Sequence, residues 1–426
     1  MSWSYRPDEE DSWCSAEASA EILGGVHDKV PPEWRDTCRQ RLTDLRRELH
    51  SSYVGLDETI DMLLAAVVAR ENALLLGPPG TAKSELPTRL FELLGLEQPS
   101  IDTDLLKKGI GTTDPYGDWR HREEAERRQQ KYFHYLLSRF TQPEELFGPV
   151  EISLLRNGML VRVNFGMLTG PGVRAAFLDE IFKASSNILN TLLTLSQERK
   201  YFNWGEMRTA DLNILIGASN EMPGGFGSGV FGVGSGQDDF QTLHAFIDRF
   251  PARLLIIPPS ASDVADVTQS SLARAFDKAF GREAERFHSG SHFGSKLPAG
   301  MPSINDMLCL GRAMMEDVDS GDGFFDRKQE QTFRTNFLNA VHSLQQAATN
   351  PERGEITWTI SPRKLRALYK IALAHALVRG EPGPNPQRQV ELSAPDLRVF
   401  ATIWDAPHAL SDLKNRVAGF VNNYIT

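Results

Sequence analysis

Residues 77–84 run Gly-Pro-Pro-Gly-Thr-Ala-Lys-Ser, directly after the apolar stretch Ala73-Leu74-Leu75-Leu76 and just before a helical pattern through Leu86, Leu90 and Leu94 that ends at Gly95. Strand, glycine loop and helix start in that order form a phosphate cradle. Gly77 and Gly80 let a loop that also holds Pro78, Pro79, Thr81 and Ala82 wrap close to a ligand, so that N–H groups and the positive helix end face phosphate oxygens. Lys83 would reach the outer phosphates and Ser84 would ligate magnesium. Ala82 departs from the strict GxxxxGK[ST] pattern. Pro87 falls where a helix would normally use an N–H, which predicts a slight kink. A helix-start loop with an incidental lysine is the structural alternative, and the flanking strand and helix argue against it.

A second apolar run, Ala175-Ala176-Phe177-Leu178, ends in Asp179-Glu180. At the carboxyl edge of a buried strand, Asp179 would face the magnesium held by Ser84, and Glu180 would orient or deprotonate an attacking water. Alone, such a pair is more often a solvated turn. Beside a phosphate loop it points to phosphoryl transfer to water. A third run, Leu212 to Ile216, leads into Gly217-Ala218-Ser219-Asn220 and is expected to lie between the other two strands, which would bring Asn220 to the γ-phosphate; an ordinary turn asparagine is the alternative. No NKxD motif for a guanine base is present, and the tandem carboxylates favour water over a small-molecule acceptor.

These residues need a scaffold. Apolar runs at 73–76, 132–137, 175–178, 212–216 and 253–257 alternate with helical patterns, predicting a parallel sheet covered on both faces. A helix started by Pro31-Pro32 and running to about His50, and another from about Asp57 as N-cap, precede the first strand. Beyond Pro258-Pro259 helical patterns dominate, at 264–280, 304–318, 329–348 and 363–378, followed by a short strand and helix at 390–404 and a terminal helix at 410–425. The expected organisation is an acidic mobile tail (1–30), an αβα core with its N-terminal helix (31–258) and a helical domain (259–426). Segments 107–130 and 288–302 look like insertions.

The chain has 426 residues, with 46 Lys plus Arg against 56 Asp plus Glu for a net charge of −10. That balance disfavours whole-chain attraction to nucleic acid or anionic lipid. No apolar run approaches a bilayer span, and Cys14, Cys38 and Cys309 show no ligand spacing, so a cytoplasmic protein without a disulfide framework or structural zinc is expected. Several motifs carry no chemistry. The GxGxxG at 227–232 lies in a glycine-saturated stretch; Asp317 to Gly323 starts like a calcium loop but has Lys328 where a glutamate is needed; His288 and His292 lack a third ligand; and Arg120 to Arg128 are interleaved with glutamates.

The order Asp179-Glu180, Gly217-Ala218-Ser219-Asn220, Asp248-Arg249-Phe250 and Ser361-Pro362-Arg363 resembles the MoxR branch of AAA+ ATPases. The stretches RFTQPEELFGP at 139–149, LDEIFKA at 178–184 and ILNTLLTLSQER at 188–199 are similar to its RavA-type members, and GPPGTAKS is how that family writes its phosphate loop. The likeness covers roughly residues 49–258 and, more weakly, 357–404. It implies a P-loop AAA+ core with a parallel sheet, a helical lid, ATP and Mg²⁺ as ligands, and a homo-oligomeric ring, commonly a hexamer. Such rings act as chaperone-like remodelers of a client protein, often beside a von Willebrand factor A domain partner. Carried over by position, Lys83 and Ser84 bind phosphate and magnesium, Asp179 holds the metal, Glu180 activates water and Asn220 is a first sensor. Arg249 resembles the finger that enters a neighbour's site, Arg363 a second sensor, and Val54-Gly55 the adenine-side loop. Two segments, 151–169 and 201–209, sit where this branch places pore-facing hairpins, where Phe165, Met167, Tyr201, Phe202 and Trp204 either grip a client or pack onto the core. A motor on nucleic acid, tracking a backbone with Arg199, Lys200 and Arg208, and a slow nucleotide-gated scaffold are the competing functions. No accessory domain like that of the RavA-type members is evident.

Overall fold

The run Ala73–Leu76 has no polar face, and it is buried at every position as the strand β1. In this computed structural model the described residues are 32–98, 126–127, 129–156, 161–203, 206–220, 245–256, 301–320, 323–347, 360–381, 383, 389–403 and 410–424. The tail, most of the 107–130 insertion, the 264–280 helix, the 227–232 glycines, Trp204, His288 and His292 lie outside them. The other strands are β2 (Lys131–Leu136), β3 (Val173–Asp179), β4 (Lys200–Asn203), β5 (Glu206–Thr209), β6 (Ile214–Ser219) and β7 (Ala252–Leu255). The main sheet has the order β2-β3-β6-β1-β7, with every pair parallel. An antiparallel hairpin, β4-β5, stands apart from it.

Helices among the described residues are α1 (Pro32–Ser52), α2 (Asp57–Val68), α3 (Glu85–Leu93), α4 (Pro143–Phe147), α5 (Ile152–Leu155), α6 (Ser186–Glu198), α7 (Ile304–Ser320), α8 (Arg327–Ala347), α9 (Pro362–Arg379) and α10 (Leu410–Asn422). Four expectations need correction. Asp57 is not the N-cap of α2: Leu56 is, and Asp57 with Glu58 in the first turn complements the helix dipole instead. Regular helix in α3 starts at Glu85, so Pro87 falls in the first turn, where N–H groups lack intrahelical acceptors, and no kink is required. Strand β6 runs on through Gly217, Ala218 and Ser219, because β1 and β3 pair with it on both sides. The expected strand near Val390 shrinks to a single bridge residue, with Val390 N donating to the Phe324 carbonyl at 2.8 Å and Glu391 N to the Glu381 carbonyl at 2.8 Å, followed by a 3₁₀ helix at Ala394–Thr402.

The helices after the sheet share one apolar cluster with it. Leu63 and Leu64 of α2, Leu310 of α7, Leu368 and Ile371 of α9 and the β1 leucines are all buried in it. Gly311 allows α7 to lie directly on α2: a Cβ there would sit 2.0 Å from the Val68 carbonyl oxygen. Charge ties follow the same contacts, with Arg35 of α1 paired to Asp317 and Lys370 of α9 paired to Glu71. Asp317 also accepts from Phe324 N at 2.9 Å, so the stretch that resembles a calcium loop is a structural tie. No helix among the described residues is long and apolar enough to cross a membrane.

Gly311→Ala should therefore cost about 1–3 kcal/mol, the usual range for forcing extra volume into a packed core. Urea unfolding monitored by circular dichroism measures it, and an unchanged midpoint would contradict the close approach of α7 to α2.

Candidate active site

Parallel pairing puts the carboxyl ends of β1, β6 and β3 on one edge of the sheet. Leu76 pairs with Ser219, and Leu178 with Gly217, so the phosphate loop, Asn220 and Asp179 leave adjacent strands at similar height. Gly77 is needed where the loop leaves β1, because a Cβ would lie 2.3 Å from the Ile256 carbonyl oxygen at the end of β7.

Lys83 is only 5% exposed, and its Nζ donates to the Pro78 carbonyl and to Thr81 Oγ1 at 3.4 Å. Burial lowers its pKa, while the fields of Asp179 and Glu180 push back upward. An ammonium in that position gains from any added anion. Ser84 Oγ donates to Asp179 Oδ2 at 2.7 Å, and Asp179 Oδ1 accepts from Glu180 N at 2.9 Å. A hydroxyl and a carboxylate in direct contact form a hard-oxygen pair of the kind that holds Mg²⁺ alongside phosphate and water oxygens. Among the described residues no three His, Cys, Asp or Glu side chains cluster for a metal.

Glu180 is 8% exposed and sits in the left-handed region, at φ 52° and ψ 42°. Its Oε1 accepts from Asn220 Nδ2 and lies 3.5 Å from Lys183 Nζ. Its Oε2 is buried with no hydrogen-bond partner among the described residues, an acceptor open to an added donor such as water. The contact with Glu180 is one that local sequence does not reveal for Asn220. Lys183 was also missed, although its place three residues after Glu180, on a 3₁₀ turn, was the available signal.

The two arginines stand in a separate cluster. Arg249 Nη1 lies 3.9 Å from Asp248 Oδ2 and donates to the Ala245 carbonyl at 3.1 Å, while Arg363 Nη1 lies 4.0 Å from the same Asp248 oxygen. Ser361 caps α9 by accepting from Lys364 N at 3.2 Å, and its hydroxyl is 3.5 Å from Asp248 Oδ2. Burial and the neighbouring Arg363 lower the pKa of Arg249, and its Nε is buried with no partner among the described residues. Among the described residues no hydrogen bond or ion pair joins either arginine to the phosphate loop. Val54 and Gly55 (φ 77°) form the turn between α1 and α2.

The hairpin expectations resolve unevenly. Segment 161–169 is stitched to β4, with Asn203 bonding both the N–H and the carbonyl of Arg162, at 2.8 and 3.1 Å, and Asn164 bonding Tyr201 at 3.1 Å. Met167 and Tyr201 pack against the core and Phe165 is half-buried, whereas Phe202 pairs across the hairpin with Met207 and both are more than half exposed.

Comparison with known proteins places this geometry. A family model described as the MoxR domain in the MoxR-vWA-beta-propeller ternary systems matches residues 40–99 and 121–285. Two uncharacterised proteins of Methanocaldococcus jannaschii are each 34% identical, over 217 and 216 residues, covering 51% and 50% of this chain and 44% of each relative. The chain thus spans less than half the length of these curated relatives. A structural protein of the Acidianus two-tailed virus is 28% identical over 185 residues, 43% of this chain and 24% of its own. The crystal structure of a candidate ATPase from Cytophaga hutchinsonii superposes with a TM-score of 0.53 at 14% identity, covering 96% of this chain and 99% of that one, which bears on fold alone.

Ala82 stands at φ 62°, where an L side chain is strained by roughly 1–2 kcal/mol. Ala82→Gly should therefore raise stability by about 0.5–1 kcal/mol after the added chain entropy of glycine is subtracted. A thermal melt tests this; a loss of about 1 kcal/mol, as for a regular helical alanine, would contradict the left-handed loop.

Proposed function

Because the chain belongs to the MoxR family of AAA+ ATPases, we propose that it binds ATP with Mg²⁺, hydrolyses it, and works as one protomer of a ring, a hexamer in the first instance, that remodels a client protein in a chaperone-like way. The observation that carries this reading is the shared sheet edge, where Ser84 contacts Asp179 and Glu180 contacts Asn220 beside buried Lys83. In the proposed reaction Lys83 and the loop N–H groups hold the outer phosphates, and Ser84 and Asp179 hold the metal. Bound magnesium supplies charge neutralisation at the phosphates. Glu180 takes the proton of the attacking water through its Oε2, while Asn220 fixes its other oxygen. Val54-Gly55 lies on the adenine side.

Arg249 and Arg363 complete the site from two other bodies in this proposal: Arg363 as second sensor from the lid (259–426), Arg249 as finger from the core (31–258) of a neighbouring protomer. Asp248 holds both arginines, so one carboxylate links the lid's sensor to the finger of the same chain. A nucleotide-dependent shift of the lid would then be felt at the next site round the ring. The family description supports a partner with a von Willebrand factor A domain, together with a β-propeller. Exposed Phe202 and Met207 are the side chains offered to a client. The competing motor on nucleic acid loses ground, because Lys200 and Arg208 lie by Glu198 and Glu206. A slow nucleotide-gated scaffold is separated by the turnover number itself. Cys38 and Cys309 are both buried, and a reducing cytoplasm is the proposed location.

Glu180→Gln should keep ATP binding and lose about 10²–10⁴-fold in turnover, as expected for removal of a general base. Arg249→Ala should lose about 10³-fold or more and regain turnover when mixed with Glu180→Gln chains that donate an intact finger. Steady-state ATPase assays with a nucleotide-binding control decide both, and wild-type turnover in either variant would remove that residue from its role.

A further inference from the structure

Three arginines from distant parts of the sequence gather at the opposite end of the sheet from the phosphate loop. Arg70 lies two residues before Asn72 at the foot of β1, Arg174 is the second residue of β3, and Arg199 follows α6. Arg199 donates to Asn72 Oδ1 at 2.8 Å and to the Asn213 carbonyl at 3.1 Å, and Asn213 N donates to the Arg174 carbonyl at 2.7 Å, so the feet of β1, β3 and β6 are joined there. Arg174 Nε and Arg199 Nη1 are both buried with no hydrogen-bond partner among the described residues. Buried guanidinium N–H groups are costly to leave unmade. The carboxylate whose field reaches both Arg70 and Arg199 is Glu71, and it is engaged by Lys370. Burial, then mutual repulsion, lowers the pKa of Arg70 and takes Arg199 down to about 10.

Backbone conformation sharpens the case. Four non-glycine residues among those described have positive φ: Ala82 and Glu180 in the candidate active site, Arg70 (56°) and Arg199 (55°) here. Both arginines end helices in the left-handed conformation that glycine adopts without strain. A cation at a helix carboxyl end complements the dipole, but that does not account for Arg174, which stands on a strand.

We propose that Arg70, Arg174 and Arg199 form an oxyanion site for phosphoryl oxygens at the foot of the sheet. Guanidinium forks suit that ligand, and the cluster carries positive charge with unmade donors beside it. The phosphoryl group is either free phosphate or the outer end of a nucleotide held by a neighbouring copy. The second source rests on the ring reading, since Asn72, bonded to Arg199, also donates to the Arg249 carbonyl at 3.0 Å and so places the cluster beside the proposed finger. The site itself does not rest on that reading.

The test is calorimetric titration of the full chain with inorganic phosphate in a Lys83→Ala background, which disables the phosphate loop. Saturable binding is expected, weakened at least about tenfold by Arg174→Gln and by Arg70→Gly. The Arg70→Gly melt should not fall, because glycine relieves the strained φ. No phosphate binding, or binding that survives both substitutions, overturns the site; so does a lowered Arg70→Gly melting temperature with phosphate affinity intact, which would mark a purely structural arginine. For the source, Arg70→Gly chains with Lys83 intact are mixed with Glu180→Gln chains. Recovery of ATP turnover assigns the ligand to the neighbour's nucleotide, and binding without such recovery assigns it to free phosphate. A failed ring leaves the titration readable, so the two readings fail separately.

Discussion

Everything chemical in this chain depends on β6 lying between β1 and β3, all three parallel. Backbone hydrogen bonding forces their carboxyl ends to one edge, and each end delivers one polar element there: the phosphate loop, Asn220 and Asp179-Glu180. The strands can be this apolar because they are buried on both faces, as parallel sheets require. A one-residue slip of β6 would withdraw Asn220 from Glu180 while changing little of the buried apolar area. The register is held by apolar packing on either side, including Ile181 and Leu74, which would both crowd a Cβ at Gly217.

The site carries strain and buried charge that packing elsewhere must offset. Ala82 and Glu180 hold left-handed backbones, Lys83 is buried with a lowered pKa, and Glu180 keeps one oxygen unpaired. Each feature is unfavourable alone; in the proposed reading, phosphate oxygens and an ordered water would satisfy the buried ammonium and the open acceptor, while the backbone strain is offset by packing. The apolar cluster that runs from the sheet through α2 into α7 and α9 supplies the rigidity to hold them. It also ties the helical part to the core, through Lys370 and Glu71 as well as through packing.

Much of this was legible in the sequence, for physical reasons. Buried strands with no polar face announce themselves as apolar runs, and the phosphate loop needs residue types that few other loops need. The helical pattern expected at 363–378 is α9, whose start lies one residue earlier at Pro362 behind the Ser361 cap, because capping is local chemistry. What was not legible is what depends on distance. The end of β6 was placed early because Gly217 and Ser219 look like turn residues, and only pairing on both sides overrides that. Asp57 looked like a cap by type, but the helix took Leu56. The bond between Asn220 and Glu180 joins residues 40 apart, and the arginine cluster draws on positions that share no motif. Met167 and Tyr201 could not be told from client-gripping residues until their packing was seen.

The central claim is that the site is completed between subunits, with Arg249 acting on the nucleotide of a neighbour. Light scattering of the Glu180→Gln chain with and without ATP and Mg²⁺ tests it most directly, since that variant is expected to hold the nucleotide without turning it over. The account predicts a shift to a species several protomers in mass when ATP is added. A monomer under both conditions would contradict it.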